Sequence, residues 1–119
     1  GQPEDAALGL ITYIEDHSQN EVLQMINLAY AYQTIWRRYG KDEYFKKAEE
    51  YFKKVYEIGP DLPQGLYSLF DLYRATGQKE KVREFGGLIL KNWPDDKNVQ
   101  AVLDGLTVQN SSTTEKNDQ

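Results

Sequence analysis

His17 is the only histidine of the chain, and there is no cysteine. Metal or nucleophilic chemistry needs clustered ligands, or a nucleophile beside a base, and His17 has no second imidazole or thiolate to work with. It falls near the end of an apolar-periodic stretch, where a cationic ring suits the negative end of a helix dipole, so it reads as a helix-end residue. The Gly86-Gly87 pair lacks the Lys and the Ser or Thr of a phosphate-binding loop. Asp95-Asp96 precede an apolar stretch and read as a helix start rather than a metal-binding pair. The residues with chemical potential therefore form no catalytic constellation. The expectation is a chain without catalytic residues, metal or cofactor, whose work is binding.

Composition narrows the partner. Fourteen Lys and Arg against nineteen Asp and Glu give a net charge of −5. The signs are interleaved, so no basic stripe exists to collect a nucleic-acid backbone or an anionic membrane. No apolar run approaches the roughly 18 residues of a membrane span, so direct membrane insertion is not expected. The opening Gly1-Gln2-Pro3-Glu4-Asp5 lacks the basic and apolar regions of a signal peptide. A cysteine-free domain survives in either redox compartment, which leaves localisation open.

The elements that must carry a binding surface are helical and repeated. Ala7, Ile11 and Ile14 recur as Ala48, Phe52 and Val55, and again as Val82, Gly86 and Ile89, each set stepping by four and then three. Leu28, Leu69 and Leu103 follow the three sets at one common distance. Pro60 and Pro94 lie 34 residues apart, whereas Ala7 to Ala48 is 41, one period plus seven. Start signals (Asn20-Glu21, Pro63, Asp95-Asp96) and stop signals (Gly40, Gly59, Gly77, suited to left-handed C-caps) predict helices over 4–17, 20–39, 42–58, 63–76, 78–92 and 96–106. The short connections between them force antiparallel neighbours.

Met25, Leu28, Ala29, Tyr32, Ala48, Phe52, Val55 and Pro60, followed by Leu66, Leu69, Tyr73, Gly77, Val82, Ile89 and Pro94, resemble the tetratricopeptide (TPR) pattern and its period. The resemblance implies an all-α fold, a right-handed α-solenoid of about six helices in antiparallel pairs. It divides 1–107 into a half repeat at 4–19, a repeat at 20–62 with a seven-residue insertion, a repeat at 63–96 and a capping helix at 97–107. A disordered polar tail is expected at 108–119. A chain that begins inside a repeat suggests coding sequence further upstream. The leading half repeat would leave a helix face for self-association.

By the same resemblance the first helix of each pair lines a peptide groove, which assigns Asn27, Tyr30, Gln33, Gln64, Tyr67, Asp71 and Arg74. Asn27 and Arg74 have no matching lysines, so the carboxylate clamp of chaperone-binding TPR domains is not expected. The insertion lengthens both helices of the first pair and places Ile35, Trp36, Tyr39, Tyr44 and Phe45 on a prong. There they either continue the seam between two helices or, with Trp36, Tyr39 and Tyr44 foremost, form a docking surface; Arg37-Arg38 solvate the tip. The second repeat has Phe70 where a small residue is usual and Gly86 where an aromatic is usual. Either the ring fills the space left at Gly86, or the repeat has drifted and its second helix is soft. The charged face Glu43, Lys47, Glu49, Glu50, Lys53 and Lys54 reads as solvated, supported by i, i+4 pairs. The function expected is a non-catalytic scaffold that binds a protein or peptide. A weaker similarity of residues 44–81 to TPR tails of bacterial O-antigen ligase or polymerase type proteins implies an alternative, an extracytoplasmic domain appended to a membrane enzyme.

Overall fold

The computed structural model describes the backbone of residues 3–17 and 21–118, and side chains over 4–15 and 21–107. The expected cap at Asn20 and the ring of His17 lie outside those residues. The described chain is all-helical: α1 (Pro3–His17), α2 (Glu21–Tyr39), α3 (Asp42–Ile58), α4 (Pro63–Ala75), α5 (Lys79–Asn92) and α6 (Lys97–Asp118). Two compact units divide within α4, the first Gly1–Leu69 and the second Phe70–Gln119.

The punctuation works largely as its chemistry requires. Gly40 and Gly77 both take φ of 69°, the left-handed conformation that ends a helix without a Cβ penalty. Pro63 opens α4, where its missing N–H costs nothing. Asp96 accepts from the Val99 backbone N–H at 3.0 Å through Oδ1, a side-chain N-cap for α6. Gly59 differs from the expected left-handed cap, with φ −135° and ψ 82°. Its glycine serves a close approach instead, since a Cβ there would stand 2.5 Å from Leu62 Cδ1. The helical backbone of α6 also runs to Asp118 rather than ending near residue 107. Neither Pro nor Gly follows Gly105 to stop it.

In the first unit, α1, α2 and α3 close around Ile11, Leu28, Ile35 and Tyr44. Rings from α2 meet rings from α3 in antiparallel order: Trp36 against Phe45 at 5.3 Å, Tyr32 stacked on Tyr51 at 6.0 Å, and Tyr30 edge-on to Phe52 at 5.1 Å. The seven-residue insertion is absorbed in helix length. α2 and α3 have 19 and 17 residues, α4 and α5 13 and 14. Gly65 on α4 lets the backbones of α3 and α4 meet, because a Cβ would fall 2.9 Å from the Tyr56 amide nitrogen.

The second unit resolves the Phe70 and Gly86 question. A Cβ on Gly86 would lie 3.0 Å from Phe70 Cε1 and 2.8 Å from Leu103 Cδ2, so the space is already filled by the ring and by α6. Phe70 is 2 % exposed and has nowhere to retreat. The next residue, Gly87, meets no atom within 4 Å. Neighbouring glycines on one helix should therefore respond with opposite signs. Gly87→Ala is expected to stabilise the chain by about 1 kcal/mol through helix propensity. Gly86→Leu is expected to destabilise it by about 1–3 kcal/mol through overpacking, with partial recovery on adding Phe70→Ala. Denaturant midpoints of the three variants measure this, and a neutral Gly86→Leu would remove the exchange of bulk.

Candidate functional site

The structure places the expected binding residues on two kinds of surface. Asn27, Tyr30 and Gln33 follow one another at three-residue steps along α2, with Asn27 exposed and Gln33 half-buried. Tyr30 is 41 % exposed yet fixed at both ends of its ring. Its edge rests on Phe52, and its phenol oxygen accepts from Ser68 Oγ at 3.2 Å. Ser68 is itself buried, so that bond ties α2 to the first half of α4. On α4, Gln64 is exposed and Tyr67 half-buried. These five belong to the first unit.

Asp71 and Arg74 belong to the second unit, where both are exposed. Arg74 sets its guanidinium over the Phe70 ring, 5.7 Å from the centroid. It also lines a cavity of about 200 Å³ with Gly77, Lys79, Val82, Val102 and Leu106. That volume falls short of the roughly 300–1,000 Å³ of ordinary small-molecule sites.

The prong residues behave as a seam. Tyr44 is 6 % exposed and its ring belongs to the core of the first unit. Trp36 and Tyr39 are half-buried and pack against that same core, Trp36 against Phe45 in addition. Of the expected docking trio, Tyr44 therefore offers no ring to a partner, and the other two are partly spent on their own hairpin. The reason is the added turn itself, which supplies more helix-to-helix surface and fills it with rings. Trp36→Ala should lower stability by about 2–4 kcal/mol, at the low end of large-to-small substitutions because the indole is only half-buried. Thermal or urea melts decide it; an unchanged midpoint would mark Trp36 as surplus to the seam.

A cluster that sequence reasoning missed joins the start of α1 to the start of α3. Glu4 Oε2 accepts from Lys41 Nζ at 2.7 Å and from the Tyr44 hydroxyl. The bonds from Lys41 and then Tyr44 hold the Glu4 carboxyl below its usual range. The same carboxylate raises the Lys41 ammonium. It also pushes the Tyr44 phenol up to about 12, with burial adding to the effect. Tyr32 is raised as well, first by burial and then by the carboxylate of Glu15, the neighbouring Tyr51 and Glu50. Beside Tyr44, a cleft of about 340 Å³ is lined by Leu8, Tyr32, Glu43, Tyr44 and Lys47.

The linkage signs follow. Glu4, depressed in the folded chain, contributes stability above the ordinary carboxylate range that is lost as pH falls through its folded value. Tyr44, raised in the folded chain, contributes stability below 10 that is lost as pH rises towards about 12. In Glu4→Gln the Tyr44 phenol should titrate closer to 10, the ordinary value of a tyrosine. A phenolate difference titration against the parent chain reads this directly. Superimposable curves would break the link between the two side chains.

The ion pairs of α3 are local to that helix. Along α3, Lys46 pairs with Asp42 at 3.2 Å, Lys53 with Glu49 at 3.6 Å and Lys54 with Glu50 at 3.7 Å. All three run acid to base at i, i+4, the stabilising order. Glu43 and Lys47 do not pair with each other in this way; Lys47 turns to Glu50 at 3.9 Å.

Among the described residues no group of three or more His, Cys, Asp or Glu stands together as a metal set, and no helix is long and apolar enough to cross a membrane. No family model, curated protein or solved structure matches the chain.

Proposed function

We propose that the chain is a TPR-like helical-repeat module that binds a protein partner through an extended peptide, on the face of the first unit formed by Asn27, Tyr30, Gln33, Gln64 and Tyr67. The observation that carries the reading is Tyr30. A ring held by Phe52 at one edge and by Ser68 at its hydroxyl, yet 41 % exposed, presents apolar area at little ordering cost. Asn27 and Gln33 stand on either side of it along α2. Each amide both donates and accepts, which matches the alternating N–H and C=O groups of an extended backbone.

The repeat register supports the solenoid part of the reading. Tyr32 covers Tyr51 in the first unit, and Tyr73 packs on Phe85 at 5.4 Å in the second. Tyr51 and Phe85 are 34 residues apart, the interval that also separates Pro60 from Pro94. The two units thus use the same pair of positions for the same contact.

Selection of phage-displayed peptides against the immobilised chain tests the proposal. Enriched peptides should lose about tenfold in affinity on the double substitution Asn27→Ala and Gln33→Ala, the scale of two modest hydrogen bonds. A selection without enrichment, or peptides indifferent to the double variant, would set the reading aside.

A further inference from the structure

We propose that the cleft beside Tyr44 binds a free α-amino acid with an apolar side chain, its ammonium facing Glu43 and its carboxylate facing Lys47. The cleft lies within the first unit, walled by Leu8 of α1, Tyr32 of α2, and Glu43, Tyr44 and Lys47 of α3. Its volume of about 340 Å³ reaches the range of ordinary small-molecule sites and suits a ligand of roughly ten non-hydrogen atoms.

The charged lip of the cleft is set apart by comparison with the rest of its own helix. α3 carries four acid-to-base pairs at i, i+4: Asp42 with Lys46, Glu43 with Lys47, Glu49 with Lys53 and Glu50 with Lys54. Three of them close, at 3.2, 3.6 and 3.7 Å. The fourth stays open, and its two members are the ones that flank the cleft. Among the described residues the Glu43 carboxylate accepts no hydrogen bond and joins no ion pair. Its charge is felt by Lys41 and Tyr44, both of which it raises. Lys47 reaches Glu50 only at 3.9 Å, the outer limit of an ion pair, and is half exposed. A carboxylate and an ammonium held apart at one opening are completed by a zwitterion, which offers each its opposite as a charge-assisted hydrogen bond. A simple anion would meet Glu43 unanswered, and a simple cation would meet Lys47 unanswered.

The remaining walls sort the other end of the ligand. Leu8 presents apolar surface from α1, and Tyr32 presents a half-buried ring from α2. The Tyr44 hydroxyl is spent on Glu4, which fixes that wall in place. The Tyr32 hydroxyl has no hydrogen bond among the described residues. Burial, and after it Glu15, raises this phenol above its ordinary value, so at neutral pH it is a donor free to meet the ligand's carboxylate. Both full charges stand on α3, and the apolar side chain is left to Leu8 and the tyrosine rings.

The cleft shares no residue with the peptide face of Asn27, Tyr30, Gln33, Gln64 and Tyr67, so either proposal can fail alone. NMR titration of the intact, isotope-labelled chain with L-leucine is the test. The amide signals of Leu8, Tyr32, Glu43 and Lys47 should move together along one saturable curve. Glu43→Gln and Lys47→Gln should each weaken binding by about tenfold, the scale of one charge-assisted hydrogen bond. Both side chains are exposed, so neither change disturbs the packing. N-acetyl-L-leucine, which keeps the carboxylate, and L-leucine amide, which keeps the ammonium, should each bind about tenfold more weakly than leucine. Signals of the cleft that do not respond to leucine, or an affinity that both substitutions leave unchanged, would overturn the proposal. So would either analogue matching leucine, since the cleft would then select a single charge.

Discussion

The space between two paired helices is fixed, and whatever fills it from one side must be absent from the other. Protein interiors are packed to crystal density, so this constraint admits little slack. Four ring pairs fill the seam between α2 and α3. In the second unit Phe70, with Leu103 of α6, fills the space opposite Gly86, which has no volume to add. Gly65 obeys the same rule at a different place. With a backbone amide where its Cβ would stand, α4 can approach α3 only because that position is empty. Helix positions in both units follow from where bulk sits along each seam.

That constraint also decides which aromatic residues are available to a partner. A ring that fills a seam is committed, because removing it opens a cavity. Tyr44 is committed in full: its ring is in the core and its hydroxyl donates to Glu4. Trp36 and Tyr39 are committed in part. Tyr30 differs in exposure: it meets Phe52 in a T-shaped contact, as Trp36 meets Phe45, yet keeps 41 % of its surface in water. The hydrogen bond with Ser68 holds it there. Lengthening the first hairpin thus added interior more than it added binding surface, and the shorter reach around Tyr30 retained the exposed ring.

Periodicity and punctuation made the helices legible. The steps of four and three placed the buried faces of α1, α3 and α5, and Gly40, Gly77 and Asp96 ended or began helices by the chemistry their side chains allow. At Gly59 the left-handed expectation failed because the chain leaves α3 with φ −135° and turns at once, bringing the side chain of Leu62, three residues on, back onto the glycine. The helical backbone of α6 continues past residue 107 because no Pro or Gly follows Gly105. The Glu4, Lys41 and Tyr44 cluster joins positions far apart in sequence, and no spacing rule encodes it.

Charge divides the chain differently from packing. Beyond residue 36 the signs balance, and along α3 they cancel within a single helical turn. Such pairs are dipoles, whose field dies within a few ångströms. Lys41 pairs with Glu4, and the net charge of −5 lies within residues 1–36, so the long-range field originates in that part of the chain. A field of that kind, screened over about 10 Å at moderate salt, acts on encounter and orientation rather than on final fit. The face around Tyr30 works oppositely, with amides and a ring that discriminate only at contact distance. A change of ionic strength should therefore leave the Tyr30 face untouched.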